Sequence, residues 1–244
     1  DADLPARTGL GTSSTFAVGL LNAFHCLKGQ YRSKKDLANE AIKLEREICN
    51  EAGGWQDQIA ASFGGLNRID FKDNFYHVNP IIINPDRKKR LEDSLLLFFT
   101  GFTRFSSDIQ KDVKANLDEK KKQLDMMLAL VDEAQDILEN NERDLDDFGR
   151  LLDKSWKLKK GTGSSVSSSN IDSLYDRGMA SGALGGKLLG AGGGGFLLFY
   201  VKKEDQKRVK EALKDLMEVP FKFENSGARV IYYTPEAFEK HKED

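Results

Sequence analysis

GLGTSST, residues 9–15, followed by Phe16 and the apolar-periodic stretch AVGLLNAFHCL (17–27), decides how this chain is read. A glycine-bracketed turn here opens a helix, so a row of backbone N–H groups without intrahelical partners, reinforced by the helix macrodipole, faces outward. That is a natural seat for phosphate. Gly9 and Gly11 allow the backbone to approach a polyphosphate without a Cβ in the way. Thr12, Ser13 and Ser14 are each suited to cap the helix, to donate to a phosphate oxygen, or to ligate a magnesium ion. Taken alone, the same residues describe an ordinary Ser/Thr N-cap after a turn equally well.

A second glycine cluster, GALGGKLLGAGGGGFLLFYV (182–201), shifts the balance. Glycine runs in linkers sit among Ser and Pro. Here Gly192–Gly195 abut an apolar strand, which calls for close contacts or positive φ at a packed site. A tight packing turn and a loop touching a bound phosphate both fit. Asp57, in GGWQDQ (53–58), is a carboxylate on a glycine-flanked loop near a helix start, placed to accept a hydroxyl proton; aspartate beside glycine is also a common turn residue. Glu45 and Glu47 precede it on one helix. Helical phase sets Glu47 with Asp36, Glu40 and Lys43 on the solvated face, and Glu45 in the Ala38–Ile42–Cys49 row. A carboxylate at the margin of an apolar face is costly. It suits a magnesium ligand, with pairing to Arg46 or a lysine as the alternative. The loop Thr100–Ser107, with Arg104 among hydroxyls at a helix start, has an anion-site composition; Ser106 or Ser107 as a plain helix cap is the competing use.

Composition bounds the class. With 244 residues, 39% hydrophobic and 31% charged, the chain has length for a real core, and a net charge of −2 gives no general reason to bind nucleic acid or an anionic membrane. The longest apolar runs are far too short to span a bilayer. Two cysteines, Cys26 and Cys49, read as small buried hydrophobes in a reducing cytoplasm, and with three scattered histidines they give no zinc spacing.

The order of elements is mixed, α+β. Helices are expected over 13–28, with Ala17, Leu20, Leu21, Phe24 and Leu27 as the packed face, and from Ser33, whose spacing to Asp36 is a capping box. A short helix passes through Ile59 and Phe63. Strands follow at 65–72 and 75–83, then a buried strand at 95–100, a long helix over 107–140 and a shorter one carrying Leu145 to Trp156. GTGSSVSSSN (161–170) has the composition of a flexible linker, or of a loop over an active site. A strand at 196–202, a helix at 203–217 and strands near 219–224 and 228–233 complete the reading. The charged stretch 86–93 marks the passage between an N-terminal domain (1–85) and a C-terminal one (86–244).

In this order the pieces resemble the GHMP kinase family. P-x-x-x-GLGTSS (5–14) is similar to its phosphate-binding loop, with Thr12 where serine is commoner; GGWQDQ is similar to the segment bearing its catalytic aspartate; KLLGAGGGGF (187–196) is similar to its third, glycine-rich motif. Within the family, EREICNEAGGWQDQIAASFGG, FFTG-x-x-R-x-SS and GGKLLGAGGGGF resemble bacterial heptose kinases, which phosphorylate D-glycero-D-manno-heptose 7-phosphate at the anomeric hydroxyl. The resemblance implies a two-lobed fold, its N-terminal lobe holding a left-handed β-α-β unit and its C-terminal lobe ferredoxin-like. It implies a cytoplasmic ATP-dependent sugar 1-kinase using magnesium, with Gly9, Leu10, Gly11, Thr12, Ser13 and Ser14 cradling ATP. Ser13 and Glu45 would be metal ligands, Asp57 the catalytic base, and Gln56, Arg104, Gly192 and Gly193 would contact substrate. Expected partners are ATP and a small sugar phosphate, with a homodimer as the one macromolecular association entertained. The rival readings are a galactose or fucose kinase and a non-catalytic sugar- or nucleotide-binding module. The family's first motif is not among these residues, and DADLPARTG opens at the edge of the phosphate loop, so an upstream segment is expected.

Overall fold

A computed structural model describes residues 9–73, 75–101 and 117–234, apart from the side chains of 117–119. These residues form two compact units: a smaller one of 11–67 with 224–234, and a larger one of 68–223 with Gly9 and Leu10.

The smaller unit is built of α1 (Thr12–Leu27), α2 (Lys34–Lys43), one turn of π-helix (Leu44–Ile48) and α3 (Gln56–Phe63). Its α2 starts as the capping box requires: Ser33 Oγ accepts from the Asp36 N–H at 3.1 Å, and the Ser33 N–H donates to Asp36 Oδ2 at 3.3 Å. Val18, Leu37 and Ala41 form the small core, with Leu21, Ala61 and Ala228 against it. The packed face of α1 is therefore only partly the expected one: Ala17 and Leu21 pack as expected, and the rest of the stripe does not. Ser14, Ala17 and Val18 are buried, whereas Leu20, Phe24 and Leu27 are exposed by 39, 52 and 50%. The helix is apolar almost all round, so periodicity alone does not choose which side meets α2 and α3. Cys49 likewise is exposed rather than buried.

Residues 224–234 join this unit without forming the strand expected near 228–233. The Ala228 N–H donates to Ala61 and Ser62, and the Gly65 N–H to Glu224 at 2.8 Å. Lys34 Nζ ties the segment down by donating to the carbonyls of Phe63 (2.8 Å) and Ser226 (2.6 Å). Alternating apolar residues make a strand only where a ladder partner exists, and among the described residues of this unit none is offered.

The larger unit holds the hairpin β1 (Asn67–Lys72) and β2 (Phe75–Pro80), then α4 (Pro85–Asp93), β3 (Leu95–Phe99), α5 (Leu117–Glu139), α6 (Asp146–Lys160), α7 (Ser169–Ala180), β4 (Ala183–Leu188), β5 (Phe196–Val201), α8 (Gln206–Ala212) and β6 (Met217–Glu218). The stretch 86–93 is thus a helix, capped by Asn84 and opened by Pro85. Strands β4-β5-β3-β6 form one antiparallel sheet in that order, with Leu97 opposite Leu198 in the centre. The connectivity β3–helices–β4–β5–α8–β6 with this order is the ferredoxin-like split βαβ arrangement. Its core joins Phe98, Leu188, Leu197 and Phe199 of the sheet to Trp156, Ile171, Tyr175 and Val209 of the helices.

Three local expectations change here. Residues 161–170 are no flexible linker: Val166 is fully buried, Thr162 is 4% exposed, and Ser168 caps α7 by accepting from the Ile171 N–H. The expected strand at 219–224 is reduced to β6, because Pro220 has no N–H to continue the ladder. The expected helix 203–217 is regular only over Gln206–Ala212. Strand β4 was hidden in the glycine cluster, since ALGGKL lacks β-branched and aromatic residues. Its Gly185 is required by packing: a Cβ there would collide with the carbonyl oxygen of Gly149 on α6. No described helix is long and apolar enough to cross a membrane.

Candidate active site

Within the smaller unit, the N-terminus of α1 and the first turn of α3 come together. Gly11 is the N-cap of α1 at φ 69°, and no side chain caps the helix, so the first-turn amides stay open to a ligand. A Cβ on Gly11 would stand 3.4 Å from both Cβ and Cγ of Asp57. Asp57 is reachable by solvent, yet partial desolvation by the surrounding chain raises its pKa above the ordinary carboxylate value. A hydrogen bond from Gln56 and the charge of Arg46 oppose that rise, and Glu45 adds to it. A carboxylate with a raised pKa is a better proton acceptor at neutral pH.

Behind it lies Glu45, only 4% exposed. It sits in the π turn, where the Cys49 N–H reaches back to the Leu44 carbonyl at 2.9 Å. Glu45 points inward, as its row with Ala38 implied; the wide turn shifts helical phase beyond it, and Ile48 is 64% exposed. Glu47 is exposed, as its phase implied. Glu45 Oε2 accepts from Ser14 Oγ at 2.9 Å and from Gln58 Nε2, and lies 3.5 Å from the Arg46 guanidinium. Glu45 Oε1 is buried and has no hydrogen-bond partner. Of the two serines, the structure brings Ser14 to Glu45, while Ser13 is exposed at the helix start.

One contributor, Gln58, was not singled out in the sequence, and Arg46 was read there only as a pairing partner of Glu45, which it is. Gln58 is fully buried and orients the carboxylate. Arg46 pins the loop before α3, donating to the carbonyls of Gly54 (3.0 Å) and Glu51 (3.1 Å). Gly53 leaves the room: a Cβ there would be 2.7 Å from the guanidinium. Spacing on the helix carried no signal for Gln58 or for the loop contacts of Arg46, because these depend on a loop that folds back.

The orphaned carboxylate oxygen fits magnesium. That ion takes oxygen donors and is held by one or two carboxylates plus substrate phosphates rather than by an all-protein cage. Consistently, no group of three or more His, Cys, Asp or Glu able to hold a metal occurs among the described residues.

In the larger unit, the third glycine motif meets the start of the first. A Cβ on Gly190 would be 2.8 Å from the Gly9 Cα, and one on Gly9 would be 3.1 Å from the Leu189 carbonyl oxygen. Gly192 and Gly193 press on Val166, whose carbonyl accepts from the Gly193 N–H at 2.9 Å, so that amide is committed within the protein. Leu10 follows Gly9 in the same loop. Arg104 lies outside the described residues. An open concavity of about 500 Å³ along α5, lined by Asp132, Asp136 and Glu139, is acidic and holds none of the motif residues.

Comparison with known proteins settles the family. Residues 1–65 match the N-terminal domain of GHMP kinases, and residues 129–219 match their C-terminal domain. The chain belongs to the GHMP kinase family. This GHMP kinase chain is 35% identical to the D-glycero-alpha-D-manno-heptose 7-phosphate kinase of Campylobacter jejuni, over 87% of its own length and 63% of that protein's. It is 29% identical to the L-fucokinase/L-fucose-1-P guanylyltransferase of Bacteroides fragilis, over 86% of its own length and 22% of that protein's. Among solved structures, a D-glycero-D-manno-heptose 1-phosphate kinase from Bacteroides thetaiotaomicron superposes with a TM-score of 0.65 at 30% identity, covering 94% of this chain and 66% of the other. The GHMP kinase chain thus spans about two thirds of the length of its heptose-kinase relatives.

Proposed function

We propose that this chain acts in an ATP-dependent sugar kinase that phosphorylates the anomeric hydroxyl of D-glycero-D-manno-heptose 7-phosphate. The observation that carries the phosphotransfer reading is the placement of Asp57 against Gly11, at an uncapped helix N-terminus, beside a buried glutamate with one unpartnered oxygen. The heptose reading is supported by the 35% identity to the Campylobacter jejuni enzyme.

In this reading the open amides of residues 11–14 bind the ATP phosphates, with Thr12 and Ser13 adding hydroxyl donors. Asp57 accepts the proton of the anomeric hydroxyl as that oxygen bonds to the γ-phosphorus. The bond from the γ-phosphorus to the bridging oxygen breaks, and ADP carries the electron pair away. Glu45 Oε1 and Ser13 Oγ would hold magnesium, which supplies neutralisation of phosphate charge when bound. Most of the rate then comes from positioning and charge stabilisation. A module that only binds sugar or nucleotide needs neither a base nor a buried carboxylate with an open lone pair.

The test is ATP consumption with heptose 7-phosphate, unphosphorylated heptose, fucose and galactose. Selective turnover of heptose 7-phosphate supports the assignment. Preferred turnover of fucose or galactose removes the heptose acceptor, and no turnover with any sugar removes the kinase reading of this chain.

A further inference from the structure

Beside the third glycine motif stand two lysines that the phosphotransfer chemistry above does not use. Lys159 is in the last turn of α6, and its Nζ donates to the carbonyl oxygen of Gly190. Gly190 is the residue packed on Gly9. Lys187 lies in β4, just ahead of that turn. Side chains alternate across a strand. Gly185, two positions earlier, faces Gly149 and Asp153 of α6, so Lys187 projects from the same face of the sheet. Lys187 stands three residues ahead of Gly190, whose carbonyl Lys159 holds.

The acids of this corner are already engaged. Asp153 pairs with Lys157 at 2.7 Å and accepts from the Tyr175 hydroxyl at 2.8 Å. Asp172 pairs with Lys160 at 2.9 Å and accepts from Ser167 at 3.0 Å. Among the described residues no carboxylate pairs with Lys159 or Lys187, although both are half-buried. Burial pushes the Lys159 pKa down to about 8, with the charge of Lys187 adding to the effect, and burial lowers Lys187 as well. Two half-buried cations near one turn, with no counter-ion among the described residues, cost stability. Such an arrangement is rational where an anion arrives to complete it.

We propose that Lys159 and Lys187, at the Gly190 turn, bind a phosphate monoester. A phosphate monoester carries close to two negative charges at neutral pH, which matches the two cations, and each ammonium offers three donors. Lys159 therefore keeps its bond to Gly190 while taking a phosphate oxygen. Lys187 has no bond to give up. The acceptor's own phosphate is such a monoester, and the terminal phosphate of a nucleotide, though an anhydride, presents a comparable charge and set of oxygens. The site itself stands without the kinase reading; the choice between those two natural ligands rests on it.

Inorganic phosphate is the first probe, titrated against the protein by calorimetry and by thermal unfolding, with chloride at matched ionic strength as the screening control. Phosphate is expected to raise the unfolding midpoint. Lys187→Met and Lys159→Gln are expected to weaken phosphate binding by about tenfold or more, the share of one charge-assisted bond. Lys159→Arg, which keeps the charge, is expected to retain binding. Because Lys187→Met removes a repelling charge, its ligand-free form should be at least as stable as the native protein, so a lost response is not lost folding. An equal phosphate response in the native protein and both neutral variants overturns the site, as does no response in any of them. In the kinase assay, a raised KM for sugar phosphate alone assigns the site to the acceptor, and a raised KM for ATP alone assigns it to the nucleotide. Unchanged values for both overturn the proposal. If no sugar is turned over at all, the phosphate titration still decides the site, so the two readings fail separately.

Discussion

Gly11 and Asp57 are in van der Waals register: the hydrogen that replaces a side chain on Gly11 faces the Asp57 carboxyl group, and a methyl there would stand 3.4 Å from Asp57 Cβ and Cγ. One residue therefore does two things. It takes the left-handed conformation that opens α1, and it leaves the space in which the candidate base sits. Gly11→Ala is expected to cost about 1–2 kcal/mol of stability from the left-handed backbone alone, and to lower turnover further by displacing Asp57. Gly19→Ala, in the same helix with no neighbour within 4 Å of the added methyl, is the control. Chemical denaturation and steady-state rates read the two effects separately.

Asp57→Asn should remove about 10²–10⁴ of the transfer rate while leaving nucleotide affinity nearly unchanged. Since partial desolvation raises the Asp57 pKa, the acid limb of the native pH–rate profile should lie above the ordinary carboxylate value. Activity is then lost as pH falls through that raised value, because only the ionised form accepts a proton. A rate loss under about tenfold in the variant would take Asp57 out of this role.

Gln58→Leu leaves Glu45 Oε2 with Ser14 and Arg46 alone. Removing an outer partner of a metal ligand typically weakens metal binding by about 10–100-fold. Manganese binding in the presence of nucleotide, measured by paramagnetic resonance, should weaken by that order in Gln58→Leu and in Glu45→Gln. Glu47→Gln should leave it unchanged, since Glu47 is exposed on the opposite phase.

The lysine pair makes stability depend on pH in a definite direction. Lys159 has a folded pKa of about 8 against 10.5 for the free side chain. Between these values the unfolded chain binds more protons, so stability rises with pH across that window. Below it the penalty is fully present. Burial is the larger cause of the lowered Lys159 pKa, and Lys187 on β4 is the charge that adds to it; the nearby acids of α6 and α7, Asp153 and Asp172, pair with Lys157 and Lys160. Lys187→Met should flatten the rise, as measured by denaturant midpoints from pH 7 to pH 10.5. Phosphate binding should weaken over the same interval as Lys159 loses its charge.

Local chemistry was legible where one residue decides it. The capping box at Ser33, the buried strand at Leu95–Phe99 and the inward phase of Glu45 against Glu47 all follow from short-range spacing. What escaped depends on partners far away in sequence. The packed side of α1 is set by α2 and α3, the absent strand near 230 by the lack of an edge to pair with, and β4 by glycines chosen for the close passage of α6 rather than for strand propensity. The same holds at the candidate site. Gln58 and the loop contacts of Arg46 take their importance from a segment that folds back to Glu45, which helical spacing alone does not show. The order in which 161–170 packs could not be read from its Ser and Gly content, because one buried valine, Val166, anchors it.

The π turn at Leu44–Ile48 carries a consequence for how this segment tolerates change in length. It holds one residue more than a regular turn, and the phase of everything after it is set by that surplus. Deleting a single residue between Leu44 and Ile48 would let the helix run on as an α-helix and rotate everything beyond the deletion by about 100°. Arg46 would then lose its grip on Glu51 and Gly54, although every element of the unit could still form. Insertions and deletions that a surface helix normally absorbs are therefore expected to disrupt the candidate site here while sparing the fold, so that the five-residue register is inherited as one piece.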